Sequence, residues 1–146
     1  NLFEFELKLL YGYNYQIKAM PSGIEAMTLC KSKTIILSSE TYEGLHDGDG
    51  RARFTVAHEL GHVIVHAPYL CQSTSCKQYS TGVRLNRSSL APYEDPEVQA
   101  NVFAARFLMP TNQVKIMLKA GANEYEIAAT FGVSVEAARY RIQKLK

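Results

Sequence analysis

His58-Glu59-Leu60-Gly61-His62 is the stretch that decides how the rest of the sequence is interpreted. In an α-helix, residues four apart differ by about 40° of rotation and about 6 Å of rise, so both histidines project from one face. Two imidazole nitrogens on one face can bind a zinc ion. Catalytic zinc sites hold the ion through three side chains and leave the fourth position open. Glu59 lies beside that face, where it can act as a general base on a water molecule. The motif therefore predicts a zinc site with His58 and His62 as ligands and Glu59 as a catalytic residue.

The surroundings of the motif predict that its helix is largely buried. The stretch from Phe54 to His66 contains one glycine and no proline, and apolar side chains flank the motif on both sides. Because buried polar groups need partners, two histidines and a glutamate in such a helix require a reason. The alternative is a surface helix that carries two histidines by chance, and the apolar surroundings disfavour it.

Glu97 is the candidate for the third ligand, because it opens the next predicted helix. Asp95-Pro96-Glu97 is typical of a helix start, with Asp as N-cap, Pro at the first position and an acid in the first turn. Ala100 is small and would let two helices approach closely. The competing interpretation is an acid that only interacts with the helix dipole, and the residues alone leave the two interpretations equal. Glu94 and Asp95 are rival ligands, although capping suits Asp95 better.

The residues before the motif predict a short first element and a small sheet. The first element, 2–10, fits a helix or a strand and ends at Gly12. A loop is predicted at Glu43–Gly50, which contains three glycines and two aspartates. Alternation and β-branched residues predict three strands, namely Tyr13–Ala19, Ile24–Cys30 and Thr34–Leu37.

The residues after the motif predict a long loop and then only helices. Pro68–Pro92 is polar and is predicted as a loop around a short strand at Val83–Arg87; such long loops are often functional. Pro110 ends the helix that carries Glu97. The predicted caps of the helices that follow are Thr111, Asn123 and Ser134, with breaks at Gly121 and Gly132.

Composition restricts the class of protein. The chain has 146 residues, of which 47% are hydrophobic and 21% are charged, as in a globular protein with a core of its own. No apolar run approaches the roughly 20 residues that cross a bilayer. Glu4 and Glu6 interrupt the first apolar stretch, so no signal peptide is visible. Three cysteines argue against a secreted disulfide scaffold. We therefore expect a cytoplasmic protein with no membrane contact.

A second metal cluster is a weaker interpretation of the remaining cysteines. Cys71 and Cys76 are spaced too loosely for a standard zinc knuckle, and adding His66 to them gives the possible second cluster. Free thiols in a loop are the favoured interpretation.

Other polar residues are candidates for assisting the chemistry. Tyr93, Tyr69, Arg87 and His66 are candidate donors to a transition state. His66 also fits a helix C-terminus, where a cation is favoured, or a hydrogen bond to a ligand. Asn101, one turn after Glu97, would orient a metal ligand or serve as a packing amide.

Two long motifs together resemble the ImmA/IrrE family of metallopeptidases. The first runs Arg53-Phe54-Thr55-Val56-Ala57-His58-Glu59-Leu60-Gly61-His62-Val63-Ile64-Val65-His66, and the second Glu97-Val98-Gln99-Ala100-Asn101-Val102-Phe103-Ala104-Ala105-Arg106-Phe107-Leu108-Met109-Pro110. The resemblance implies Zn²⁺ as cofactor and Glu97 as the third ligand. It also implies a partner, because members of the family relieve repression by cutting or disabling a helix-turn-helix repressor, in mobile elements or stress responses. A regulator that binds a repressor or DNA around a structural zinc site is the alternative.

The fold that these observations predict is α+β. We expect a zincin-like minimal metallopeptidase fold, with a small β-sheet, the motif helix, the Glu97 helix and a C-terminal helical hairpin. Residues 1–110 would form the metallopeptidase domain, and 111–146 a helical, helix-turn-helix-like segment.

The C-terminal segment has the residue pattern of a helix-turn-helix, with Gly132 and Ser134 in the turn. A recognition helix would direct Arg139, Tyr140 and Arg141 at DNA. However, residues 123–146 carry four basic and three acidic groups, which is weak for phosphate binding. A helical pair that packs on the peptidase or docks a protein is the favoured interpretation.

Overall fold

Seven α-helices, one π-helical turn and four strands make up the part of the chain that the computed structural model describes, residues 6–67, 79–80 and 95–145. In chain order they are α1 (Leu7–Tyr11), β1 (Asn14–Lys18), β2 (Ala26–Leu29), β3 (Thr34–Ser38), α2 (Ser39–Asp47), α3 (Gly50–Gly61), the π-turn (His62–His66), β4 (Tyr79–Ser80), α4 (Pro96–Leu108), α5 (Thr111–Lys119), α6 (Glu124–Phe131) and α7 (Val135–Gln143). The predicted α+β class is confirmed.

The sheet has the strand order β1-β3-β2-β4. Strand β1 is parallel to β3, whereas β2 is antiparallel to both β3 and β4. Every residue of β3 is buried, as expected of a central strand covered on both faces. Ala26 and Thr28 of β2 are also buried, and Thr28 faces α3, the helix that begins the His58–His62 motif.

Two apolar clusters hold the fold together. The first joins the sheet to α3 through Ile35, Leu37, Val56 and Leu60, among others. The second lies at the C-terminal end of α4, and Phe54 packs against it. Its members are Ala105, Met109, Val114, Ile127, Ala128, Val133 and Ala138. The second cluster thus draws on residues from both sides of position 110. The proposed domain boundary at that position stays a prediction.

The predicted loop at Glu43–Gly50 is wrong, because helix α2 extends to Asp47. The Ser38 hydroxyl caps this helix by accepting a hydrogen bond from the amide of Thr41 at 3.0 Å. Gly48 ends it in the left-handed conformation, with φ at 78°. Asp49 then caps α3 by accepting from the amides of Arg51 and Ala52. The glycines and aspartates mark a cap between two helices, which shortens the loop to two residues.

The three strands predicted before the motif agree with the structure apart from their ends. The first element is a helix where it is described, and Gly12 ends it. The motif helix begins at Gly50 rather than Phe54. Strand β4 lies in the stretch predicted as a loop, while the predicted strand at Val83–Arg87 lies outside the described residues.

The predicted caps of the C-terminal helices are correct in two cases of three. Asn123 and Ser134 cap α6 and α7 with their side chains. Thr111 does not cap α5, because it is already the first residue of that helix. Its hydroxyl instead accepts a hydrogen bond from Arg141 at 2.6 Å. Within the described residues, no helix is both long and apolar enough to cross a membrane.

Candidate metal centre

His58, His62 and Glu97 come together where α3 meets α4. The His58 Nε2 atom lies 3.3 Å from Glu97 Oε2, and the His62 Nε2 atom lies 3.4 Å from Glu97 Oε1. The two Nε2 atoms are 3.0 Å apart. One ligand atom from each residue lies within 4.8 Å of the other two. The two histidines are buried, and Glu97 is partly exposed.

The close crossing of α3 and α4 makes this convergence possible. A Cβ atom added to Gly61 would lie 3.1 Å from Ala100 Cα, tighter than ordinary packing allows. Ala100, the small residue expected to let the two helices approach closely, is therefore at the contact and is fully buried. Gly61 faces it from inside the motif. The role of Gly61 in this contact was not predicted, although a glycine inside a predicted helix can mark close packing.

The histidines and the glutamate change one another's protonation. Burial acts to raise the pKa of the Glu97 carboxyl, but hydrogen bonds from His58 and His62 outweigh burial and lower this pKa to about 2. Burial acts to lower the pKa of His58, but the hydrogen bond to Glu97 and the charge of Glu59 outweigh it and raise this pKa. Glu97 is therefore an anion at neutral pH, as a metal ligand must be.

Glu59 lies against strand β2 with no solvent exposure. The Thr28 hydroxyl donates a hydrogen bond to Glu59 Oε2 at 2.5 Å. Burial raises the pKa of Glu59, and the charge of His62 and the bond from Thr28 oppose this rise. Thr28 is a site residue that was not predicted from the sequence. Its signal was a polar residue at an inward position of a strand whose next inward neighbour is Ala26.

The Nδ1 atoms of both histidines have partners. His58 Nδ1 lies 2.9 Å from Asn101 Oδ1, so Asn101 contacts a candidate ligand, the first of its two predicted roles. His62 Nδ1 lies 3.0 Å from His66 Nδ1, and His66 Nε2 lies 2.9 Å from Gln99 Oε1. His66 does not belong to the cluster of candidate ligands among the described residues. Gln99 was not predicted.

Asp95 is the one remaining candidate among the described residues, and it does not belong to the cluster of ligand atoms. Asp95 caps α4 by accepting a hydrogen bond from the amide of Glu97 at 2.9 Å, so capping is the role in which the structure places this rival ligand. The other candidates lie outside the described residues, namely Tyr69, Cys71, Cys76, Arg87, Tyr93 and Glu94.

The donor set fits a divalent metal ion of the zinc type. Two imidazole nitrogens and one carboxylate are a ligand set of catalytic zinc sites. Here both Nε2 atoms face the same carboxylate, while both Nδ1 atoms are engaged elsewhere. An imidazole with its proton on Nδ1 presents an unprotonated Nε2, which is the form that binds a metal.

The residues that a recognition helix would direct at DNA are not all at the surface. Arg141 is buried, and its Nε atom donates a hydrogen bond to the Met109 carbonyl at 3.1 Å. Arg139 is exposed and lies 3.5 Å from Glu124. Of the three residues that a recognition helix would direct at DNA, Arg141 therefore faces the protein interior, which agrees with the favoured interpretation of a packed helical pair for this residue alone.

Comparison with known proteins agrees with this geometry. A solved structure of a Mycobacterium tuberculosis transcriptional regulator is similar, with a TM-score of 0.62 at 15% sequence identity, over 94% of this chain and 38% of that chain. At this identity the similarity shows the fold alone, and the chain spans well under half of that regulator. No curated protein sequence matches the chain. The family described as Peptidase M78, IrrE N-terminal-like domain, matches residues 44–143, which include both histidines, Glu59 and Glu97. The chain therefore belongs to the ImmA/IrrE family of metallopeptidase-like proteins.

Proposed function

We propose that this chain is a zinc-dependent endopeptidase whose substrate is a helix-turn-helix transcriptional repressor. The observation that carries the enzymatic part is the convergence of His58, His62 and Glu97 beside the buried carboxyl of Glu59. These residues would hold the ion through the two Nε2 atoms and the Glu97 carboxylate. The intact general base supports catalysis, because a purely structural zinc site has no use for it.

Zinc, when bound, would supply a Lewis acid that polarises the scissile carbonyl and lowers the pKa of a water molecule. The chain's own contribution is the placement of a proton acceptor. The Glu59 carboxylate would take a proton from the water molecule that attacks the peptide carbon, and would deliver this proton to the leaving amine. Its raised pKa suits this exchange, since an acceptor is most effective when its pKa approaches the working pH.

Burial of Glu59 has a cost that supports the same proposal. A carboxyl group without solvent exposure is unfavourable unless it is paired or hydrogen-bonded. Thr28 provides such a bond from β2, so the sheet stabilises the carboxyl group of Glu59 at this buried position. A buried carboxyl group with a shifted pKa, next to the ligands of a metal ion, is typical of catalytic sites.

The substrate part of the proposal rests on family resemblance. Members of the ImmA/IrrE family act on helix-turn-helix repressors, and this chain belongs to that family. We do not propose direct DNA binding, because the inward placement of Arg141 removes one of the three predicted contacts.

Metal analysis is the first test. We expect about one zinc per chain in the purified protein, and loss of zinc from His58→Ala and Glu97→Ala. His46→Ala is the matched control, because His46 is an exposed histidine of α2 and its variant should keep zinc. Zinc retained in Glu97→Ala would remove that residue from the ligand set.

Cleavage is the second test. The chain and Glu59→Gln would each be co-expressed with a panel of helix-turn-helix repressors, with fragments identified by mass spectrometry. We expect cleavage by the unaltered chain, and a loss of about 100-fold or more in Glu59→Gln with zinc retained. Equal cleavage by the two proteins would refute the role of Glu59. Zinc binding without cleavage of any repressor would favour a regulator that acts by binding.

A further inference from the structure

The π-turn at His62–His66 connects a candidate metal ligand to helix α4. The amide of Ala67 donates a hydrogen bond to the His62 carbonyl, five residues earlier. In an α-helix, a residue four positions on overshoots one full turn by about 40°. The π-turn winds the chain less tightly than an α-helix does, and His66 lies beside His62. Their ring centroids are 5.0 Å apart, and both residues are buried.

A row of hydrogen-bonding atoms runs from this pair to Gln99. His62 Nδ1 lies 3.0 Å from His66 Nδ1, and His66 Nε2 lies 2.9 Å from Gln99 Oε1. Each imidazole nitrogen either donates or accepts, so fixing one proton fixes the others. If His62 binds a metal through Nε2, then its proton is on Nδ1 and is donated to His66. His66 Nδ1 must accept, which leaves the second proton of this row on His66 Nε2, facing the Gln99 oxygen.

We propose that His66 and Gln99 are positioning residues that hold His62 in its metal-binding tautomer through this directional row. The inference rests on the proposed metal site and assigns it two residues that do not touch the ion. Partners of this kind fix the ring orientation of metal-bound histidines. Because Gln99 and Glu97 belong to the same helix, α4 would provide one ligand and also orient another.

The direction of donation along this row of hydrogen bonds distinguishes the proposal from simple packing. A side chain that only accepts a hydrogen bond at position 99 would preserve the direction. A donor such as the amide nitrogen of Gln99, turned toward His66, would reverse it and place a proton on His62 Nε2. An apolar side chain of similar shape would fill the space and fix neither direction. Gln99→Glu and Gln99→Met are therefore a matched pair.

The test measures zinc affinity by competition with a chelator, together with imidazole ¹⁵N spectra of the zinc-loaded protein. We expect Gln99→Met and His66→Phe to weaken zinc binding by about 10–100-fold, and Gln99→Glu to bind at least as tightly as the unaltered chain. Gln113→Met, at an exposed glutamine of α5, is the control and should change nothing. The spectra should show His62 protonated on Nδ1 and His66 protonated on Nε2.

Unchanged affinity in Gln99→Met, equal weakening in Gln99→Glu and Gln99→Met, or a proton on His66 Nδ1 would each overturn the inference. Any of these results would leave the metal site intact, provided that His62→Ala abolishes zinc binding. Zinc binding unaffected by His62→Ala would instead refute the metal site, and this inference with it. If His66→Phe does not fold, the Gln99 pair decides alone.

Discussion

Gly61 and Ala100 bring the two metal-bearing helices into backbone contact, because a Cβ at position 61 would lie 3.1 Å from Ala100 Cα and 3.3 Å from the Ala100 carbonyl oxygen. The separation of α3 and α4 at this crossing governs the distance from His58 and His62 to Glu97. The geometry of the candidate metal site therefore depends on a residue that contributes no side chain to it.

Gly61→Ala should weaken both the fold and the metal site. We expect a loss of about 1–3 kcal/mol in the free energy of unfolding, reduced by the better helix propensity of alanine, and weaker zinc binding because Glu97 moves away. Urea unfolding and chelator competition would measure the two effects. Gly44→Ala is the control, since its Cβ would lie 3.1 Å from Ala52 Cβ, a tight contact of α2 with α3. Zinc affinity lowered equally in both variants would contradict this account.

Thr28→Val should shift the pH profile of peptide cleavage. The hydroxyl of Thr28 stabilises the charged form of Glu59 and so lowers its pKa. Removing the hydroxyl raises this pKa further. A general base acts in its deprotonated form, so the acidic limb of kcat/KM should move to higher pH. Thr28→Ser keeps the donor and should restore the limb. An unchanged limb in Thr28→Val would show that this bond does not control the base.

Zinc affinity should fall as the pH decreases. The pKa of His58 is raised in the metal-free protein, so below that pKa its imidazole carries a proton that must leave before Nε2 can bind. Each such proton weakens binding about tenfold per pH unit. Glu97, with its pKa lowered to about 2, remains an anion and contributes nothing to this dependence. Competition titrations from about pH 8 to about pH 5 test this expectation. An affinity constant over that range would contradict it.

Arg141→Met should destabilise the C-terminal helices. Arg141 donates hydrogen bonds to the Met109 carbonyl at 3.1 Å and to the Thr111 hydroxyl at 2.6 Å. Removing a partner of a buried acceptor costs about 1–3 kcal/mol, which urea unfolding would detect. Arg139→Met is the matched control: its exposed pair with Glu124, at 3.5 Å, is expected to contribute less than about 1 kcal/mol. Equal stability of the two variants would show that Arg141 does not anchor these helices.

The pairing of His58 with His62 could be anticipated from a local signal, whereas the residues alone left the role of Glu97 open and the family resemblance implied that it is the third ligand. Helical spacing aligns the two histidines, and Asp95-Pro96 marks where the next helix begins. The helix caps at Asn123 and Ser134 were predictable for the same reason, since capping depends on residues within one turn.

The features that were missed depend on long-range or unusual geometry. Thr28 reaches Glu59 only because of the strand register, which no local pattern specifies. Gln99 reaches His66 through a π-turn, while helical spacing assumes 3.6 residues per turn. The end of helix α2 was predicted as a loop because three glycines and two aspartates lie close together there. In the structure, Gly48 ends α2 and Asp49 caps α3.

The second apolar cluster has a consequence for how shortened forms of this protein are interpreted. Ala105 and Met109 of α4 and Phe54 of α3 pack against the three C-terminal helices. A chain cut after residue 110 would expose these side chains on the two helices that carry the metal ligands. Loss of activity in such a deletion would then report damage to the hydrophobic core, and point substitutions on the outer faces of α6 and α7 are the sounder way to map a docking surface.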